Sequence, residues 1–152
     1  MTRFQRARFA NVIVAALGVA MLFPSCSAED IRVRLVNGQT GEPVRGPQPV
    51  VLYLGRNHSA FLDGTTDIDG VAVFHLPDPL AEWITAGQDS QILYHCSPYQ
   101  KNTFKTAEIL SRGVIALNVC DSKGKLKGKV DAKPGDLVIF ARPLHWWEKG
   151  QW

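Results

Sequence analysis

What the chain lacks narrows it first. Its three cysteines, Cys26, Cys96 and Cys120, form no C-x-x-C metal or redox spacing. Its four histidines, His58, His75, His95 and His145, include no H-x-H or H-E-x-x-H arrangement, so a zinc, copper or iron centre has no spacing to rest on. There is no G-x-S-x-G elbow, and Ser59 beside His58 is adjacency in sequence alone, which leaves acyl transfer without an activated nucleophile. The longest apolar run, Phe9 to Phe23, has 15 residues, short of the roughly 20 of a membrane-spanning helix. No internal repeat, low-complexity tract or second-domain boundary is present.

That apolar run follows Arg3, Arg6 and Arg8, is broken by Pro24, and leads into Ser25, Cys26, Ser27 and Ala28. This is the order of a secretory signal peptide. Residues 1–28 are therefore read as a leader cleaved after Ala28, with a mature domain of residues 29–152 that is secreted or periplasmic and carries no transmembrane anchor. An alternative for Cys26 is lipidation as the first residue of a bacterial lipoprotein, for which Phe23-Pro24-Ser25 is a poor match: that motif has Leu three residues before the Cys and a small residue two before. Of 17 Lys and Arg, three leave with the leader, so 14 face 14 Asp and Glu in the mature chain. A nucleic-acid footprint needs clustered excess positive charge, and that class loses its support. Cys96 and Cys120 remain as a pair, and in an oxidising compartment they predict a disulfide rather than two buried thiols.

What is present is a series of short period-two segments. The stretch Thr65 to Pro77, TTDIDGVAVFHLP, is a turn rich in Asp and Gly that runs into a strand with Ala72, Phe74 and Leu76 on one face. Ile31 to Val36 alternates strictly, with Ile31, Val33 and Leu35 inward and Arg32 and Arg34 outward on a wet face. Pro49 to Leu54 reads as a central or doubly covered strand, and Gly55 to Gly64 as a loop. Asp78-Pro79 predicts one helical turn through Ile84. Gln91 to Cys96 is a strand, with Ile92, Tyr94 and Cys96 on one face and Leu93 and His95 on the other. Lys105 to Ser111 is a short helix closed by Gly113, followed by a short apolar segment, Val114 to Leu117. Leu137 to Ala141 is the last strand. Between them, Asp121 to Lys133 carries Lys123, Lys125, Lys127, Lys129 and Lys133, and reads as a solvated hairpin or lysine-guarded edge strand, or alternatively as a polyanion-binding strip. The sum is an all-β class: one β-sandwich of about seven short strands, Ig-like, with one or two short helical turns.

The segment VRLVNGQTGEPVRGPQPVVLYL followed by TTDIDGVAVFHLP resembles the carboxypeptidase regulatory-like domain, of the transthyretin-like (prealbumin-like) sandwiches. Gly41-Glu42-Pro43-Val44-Arg45-Gly46 and Thr66-Asp67-Ile68-Asp69-Gly70 stand where that family has a G-x-P-[LIV]-x-G connection and a T-D-x-D-G turn. Ala72, Phe74, Leu76 and Pro77 complete the pattern. The resemblance covers about residues 31–77 and implies the fold; such domains occur as accessory modules beside peptidases, in adhesins and near outer-membrane transport proteins. Related adhesin repeats form an internal Lys–Asn isopeptide, but here Arg32 and Arg34 occupy the first strand and LVIFAR has no Asn. The purine-pathway hydrolase of the transthyretin group ends in Tyr-Arg-Gly-Ser, whereas this chain ends EKGQW.

Few residues remain as site candidates. Asp63, Asp67 and Asp69 have the oxygen chemistry for calcium, but Asp is equally suited to tight turns. Tyr53, Tyr94 and Tyr99 do not fall into the two-Tyr, two-His spacing of intradiol dioxygenases. His75 and His95, both assigned to non-core strand faces, would approach each other if their strands pair. The tail HWWEKGQW is the most unusual feature: Trp146, Trp147 and Trp152 either fold back to complete the core or contact a protein or carbohydrate partner outside the cytoplasm. The expectation is a non-catalytic exported module with a binding or structural role, without cofactor, catalytic residue or metal. The rival is a small metal-dependent extracytoplasmic enzyme using the histidines.

Overall fold

The computed structural model describes residues 29–98 and 102–149; residues 1–28, expected to be a leader and including Cys26, lie outside them, as do Tyr99 and Trp152. Among the described residues the elements are β1 (Asp30–Asn37), β2 (Pro49–Leu54), β3 (Ala60–Thr65), β4 (Val71–His75), β5 (Trp83–Gln88), β6 (Leu93–His95), β7 (Thr103–Lys105), α1 (Thr106–Arg112), β8 (Val114–Ile115) and β9 (Asp136–Pro143). They form an all-β sandwich. One sheet has the order β4-β1-β9-β6, with β8 also on β9; the other has the order β3-β2-β5-β7. β9 runs parallel to β1 and β8, and the remaining pairs are antiparallel.

The core follows from the alternation. Ile31, Val33 and Leu35 of β1, Val50, Leu52 and Leu54 of β2, Ala72 and Phe74 of β4, Ile84 and Ala86 of β5, and Leu137, Ile139 and Ala141 of β9 are buried and pack as one cluster between the sheets. Glycine makes room at one point: a Cβ on Gly64 of β3 would stand 2.7 Å from Cζ of Phe74. β2 is central, as its composition predicts, with Val51 and Tyr53 half-buried on its other face.

The two motif segments interlock. Val44 N–H donates to Leu35 C=O and Leu35 N–H to Gly70 C=O. The Thr66 hydroxyl donates to Gly46 C=O at 2.8 Å and accepts from Gln48 N–H at 3.0 Å. Gly70 has φ +76°, and a Cβ there would meet Val44 and Leu35 carbonyl oxygens at 2.7 and 2.9 Å, so the position requires glycine on two counts. The Asp67 carboxylate accepts from Asp69 N–H and Val71 N–H, both at 2.9 Å. This turn links β3 in one sheet to β4 in the other, so it is a crossover between sheets and not a hairpin.

Four expectations are corrected. Residues 60–65 are a strand, because β3 pairs with β2 along its whole length and only Gly55 to Ser59 form the loop. No helical turn follows Asp78-Pro79, whose peptide is cis; Trp83 to Gln88 instead pairs with both β2 and β7. In β6 the facing is reversed: Leu93 enters the main core while Ile92 and Tyr94 are exposed. Cys96, beyond the strand end, is buried against the sheet's outer surface with Val36, Val138 and Phe140.

Residues 121–133 are neither hairpin nor edge strand. They form a run of turns that lies over this outer surface, with Cys120, Val130 and Ala132 packed on Val36, Val138 and Phe140. Leu126 is buried beside Gly41. Cys96 and Cys120 are disulfide-bonded, with Cα atoms 5.2 Å apart. Gly38 fits beneath the bridge, where a Cβ would be 2.8 Å from Cys96 Sγ. The helix is the one expected, with Gly113 at φ +75° donating its N–H to Ile109 C=O.

Candidate functional site: a clamped aromatic turn

β9 ends the sandwich with Arg142, whose backbone pairs with Tyr94 of β6. The strand's alternation turns Arg142 toward the outer face, where its guanidinium carbon lies 4.2 Å from the Tyr94 ring centroid. Stacking leaves the guanidinium edge free for hydrogen bonding. Nη1 and Nη2 donate to Glu148 Oε2 and Oε1 at 2.8 and 2.7 Å, and Nη1 also donates to Pro143 C=O. The pair is largely withdrawn from solvent, and a bidentate charge-assisted contact fixes direction as well as distance. The bond from Arg142, with that from the His145 amide, holds the Glu148 carboxyl down at about 2, and the carboxylate holds Arg142 above its ordinary value.

Glu148 then closes a turn. Its N–H donates to His145 C=O at 3.0 Å, and its Oε2 accepts from His145 N–H at 2.7 Å. Trp146 and Trp147 are the two central residues of this four-residue turn, which points them away from the sandwich. Upstream, Leu144 is buried and its N–H donates to Ile92 C=O. The Trp147 ring stacks on His145 at 4.4 Å with 5° between planes, and Trp146 meets Trp147 edge-on at 5.7 Å. Trp146 remains 79% exposed and Trp147 54%. Completion of the core is therefore overturned for these two indoles; Leu144 does the anchoring instead. Trp152 lies outside the described residues.

A groove of about 560 Å³ adjoins the turn. Leu144 and Lys149, which bracket the turn in sequence, line it together with Glu42, Arg45 and Gln48. Ile92, 63% exposed, forms another part of its wall.

The remaining candidates do not converge. β4 and β6 are separated by β1 and β9, so His75 and His95 are not neighbours. His75 Nδ1 is 2.6 Å from an Asp30 carboxylate oxygen. His58 lies in the β2–β3 loop against Tyr53, and His145 belongs to the aromatic turn. Desolvation lowers the His95 pKa against the opposing field of Asp89. Asp67 serves its turn, and Asp63 is an exposed residue of β3. Among the described residues, no three His, Cys, Asp or Glu side chains stand close enough to hold a metal ion. No described helix is long and apolar enough to cross a membrane.

Sequence reasoning singled out the indoles but missed Arg142, Glu148 and Tyr94, the residues that aim them. A signal existed in β9, whose outward positions are Asp136, Val138, Phe140 and Arg142. Two apolar residues on the same sheet face as Arg32 and Arg34 require a cover, and an Arg at the strand end requires a partner. Comparison of the chain with family models, with curated proteins and with solved structures finds no match.

Proposed function

We propose that the chain is an exported, non-catalytic binding module of the carboxypeptidase regulatory-like kind, and that it contacts a carbohydrate or protein partner through Trp146 and Trp147. The observation that carries the reading is the clamp. A bidentate ion pair, an aromatic stack and a reciprocal turn together hold two large apolar faces in water. Exposing indoles opposes folding, and indole combines a stacking face with a donor N–H that suits sugar rings and interface hot spots alike. The adjoining groove, with Glu42, Arg45, Gln48 and Lys149, adds polar side chains of the kind that orient hydroxyl groups. The family likeness is supported by the interlocking of Gly46, Thr66 and Gly70 with Val44 and Leu35. The leader and the disulfide support export.

The test is Trp146→Ala with Trp147→Ala, measured on glycan arrays and by capture of partners from the envelope fraction. Binding by the parent chain should be lost in the variant, while stability stays within about 0.5 kcal/mol, the range for exposed substitutions. A large fall in the melting temperature would show that the indoles serve the fold, and retained binding would remove them from the contact.

A further inference from the structure

On the sandwich's outer surface the disulfide-pinned segment meets β8, and there the apolar residues that face water are not scattered. Ile115, Leu117 and Val119 are 42%, 48% and 48% exposed. Burial alternates with them, Ala116 being buried and Asn118 partly so, which leaves the three on the solvent side of the segment. Ile115 and Leu117, with Leu126, Val130 and Phe140, line a groove of about 590 Å³. Lys127 lines the same groove, and Lys123, Lys125, Lys127 and Lys129 are all exposed.

The segment's own carboxylates do not neutralise those lysines. Asp121 spends both oxygens on the Lys125 and Leu126 amides, at 2.8 and 2.7 Å. Asp131 lies toward Arg34, 3.9 Å from its Nη1. Among the described residues no ion pair involves Lys123, Lys125, Lys127 or Lys129. The surface therefore presents an apolar stripe beside unneutralised ammonium groups. Its complement has negative charge at a boundary with hydrocarbon behind it.

We propose that this face docks on an anionic phospholipid bilayer. Ile115, Leu117 and Val119 reach into the headgroup boundary, and Lys123, Lys125, Lys127 and Lys129 pair with lipid phosphates. Apolar insertion and basic attraction are each weak alone and together give reversible membrane binding. The disulfide holds the lysines in place relative to the stripe. The groove shares no lining residue with the aromatic turn, and the docking does not depend on the role of the indoles.

The test is vesicle co-sedimentation of the chain starting at Glu29, since both sheets close within the described residues. Vesicles of about three parts phosphatidylcholine to one part phosphatidylglycerol are compared with pure phosphatidylcholine at about 0.05 M and about 0.5 M salt. The chain should sediment with the anionic vesicles at low salt, weakly at high salt, and not with the neutral ones. Lys127→Ala with Lys129→Ala should weaken binding roughly 25-fold, at about five-fold per lysine. Leu117→Ser should weaken it roughly ten-fold. Both variants alter exposed side chains and should melt as the parent does. Absence of binding to anionic vesicles would overturn the proposal, as would equal binding to neutral ones. Indifference to Leu117→Ser with full salt sensitivity would also overturn it, pointing to a soluble polyanion. If Trp146→Ala with Trp147→Ala abolished vesicle binding, the docking face would be the other one.

Discussion

β9 is buried on both faces from Asp136 to Arg142, but by different means. Inward, Leu137, Ile139 and Ala141 join an apolar layer supplied by strands of both sheets. Outward, Asp136 is paired with Arg32 at 2.7 Å, Val138 and Phe140 lie under the disulfide-pinned segment, and Arg142 is clamped to Glu148. The inner face is held by many contacts in one cluster shared by both sheets, so a change at one position is felt by the whole sandwich. The outer face is held by a few separate fastenings, each of which secures one stretch of chain. The exposed functional candidates, the indoles and the lysine stripe, both belong to stretches secured in the second way. A rigid scaffold carrying locally fastened surface segments can change those segments without altering its core.

The largest expected effect is on the inner face. Ile139→Ala should cost about 2 to 5 kcal/mol, because the side chain is enclosed and the cavity cannot collapse. Both sheets should lose hydrogen-exchange protection together. The contrasting change is Cys96→Ala with Cys120→Ala. Loop entropy for a bridge of separation 24 sets an upper value of about 3 to 4 kcal/mol. Amide exchange should rise first at residues 117–133 while β1 and β9 stay protected. Uniform loss of protection across both sheets would break the distinction, since the fastening would then support the whole fold.

The same division separates what could be read in the sequence from what could not. Layered burial writes itself as period two, so β1, β2, β4 and the core of β9 are visible from residue order, as is the turn at Asp67 to Gly70. β3 was hidden because Asp63 and Gly64 interrupt its pattern, although Gly64 is there to admit the Phe74 ring. The covering role of residues 121–133 was hidden because one buried residue, Leu126, and two partly buried ones, Val130 and Ala132, were outnumbered by five lysines. What makes that segment a cover is the position of Cys120 and the surface beneath it, and both depend on tertiary pairing. The aromatic turn was half visible: composition exposed its tryptophans, while Arg142 and Glu148, six residues apart, follow no local rule.

The smallest change should come from acid, and it sharpens the comparison at Arg142. Glu148 titrates at about 2 in the folded chain, below its ordinary 4.5, mainly because of the bonds from Arg142 and from the His145 amide. A depressed folded value means the clamp contributes fully above the unfolded value and is lost as pH falls toward the folded one. The aromatic turn should therefore loosen between about pH 4.5 and about pH 2. The Trp147 indole resonance, shifted by its stack on His145, should move toward its free position over that window, while core methyl signals hold until the sandwich itself unfolds. Glu148→Gln keeps the shape but removes the charge, so the resonance should already sit near the free position at neutral pH and show no such transition. Identical acid profiles for the parent and Glu148→Gln would mean that the turn is held by Leu144 and the backbone alone, and that the ion pair is not what aims the indoles.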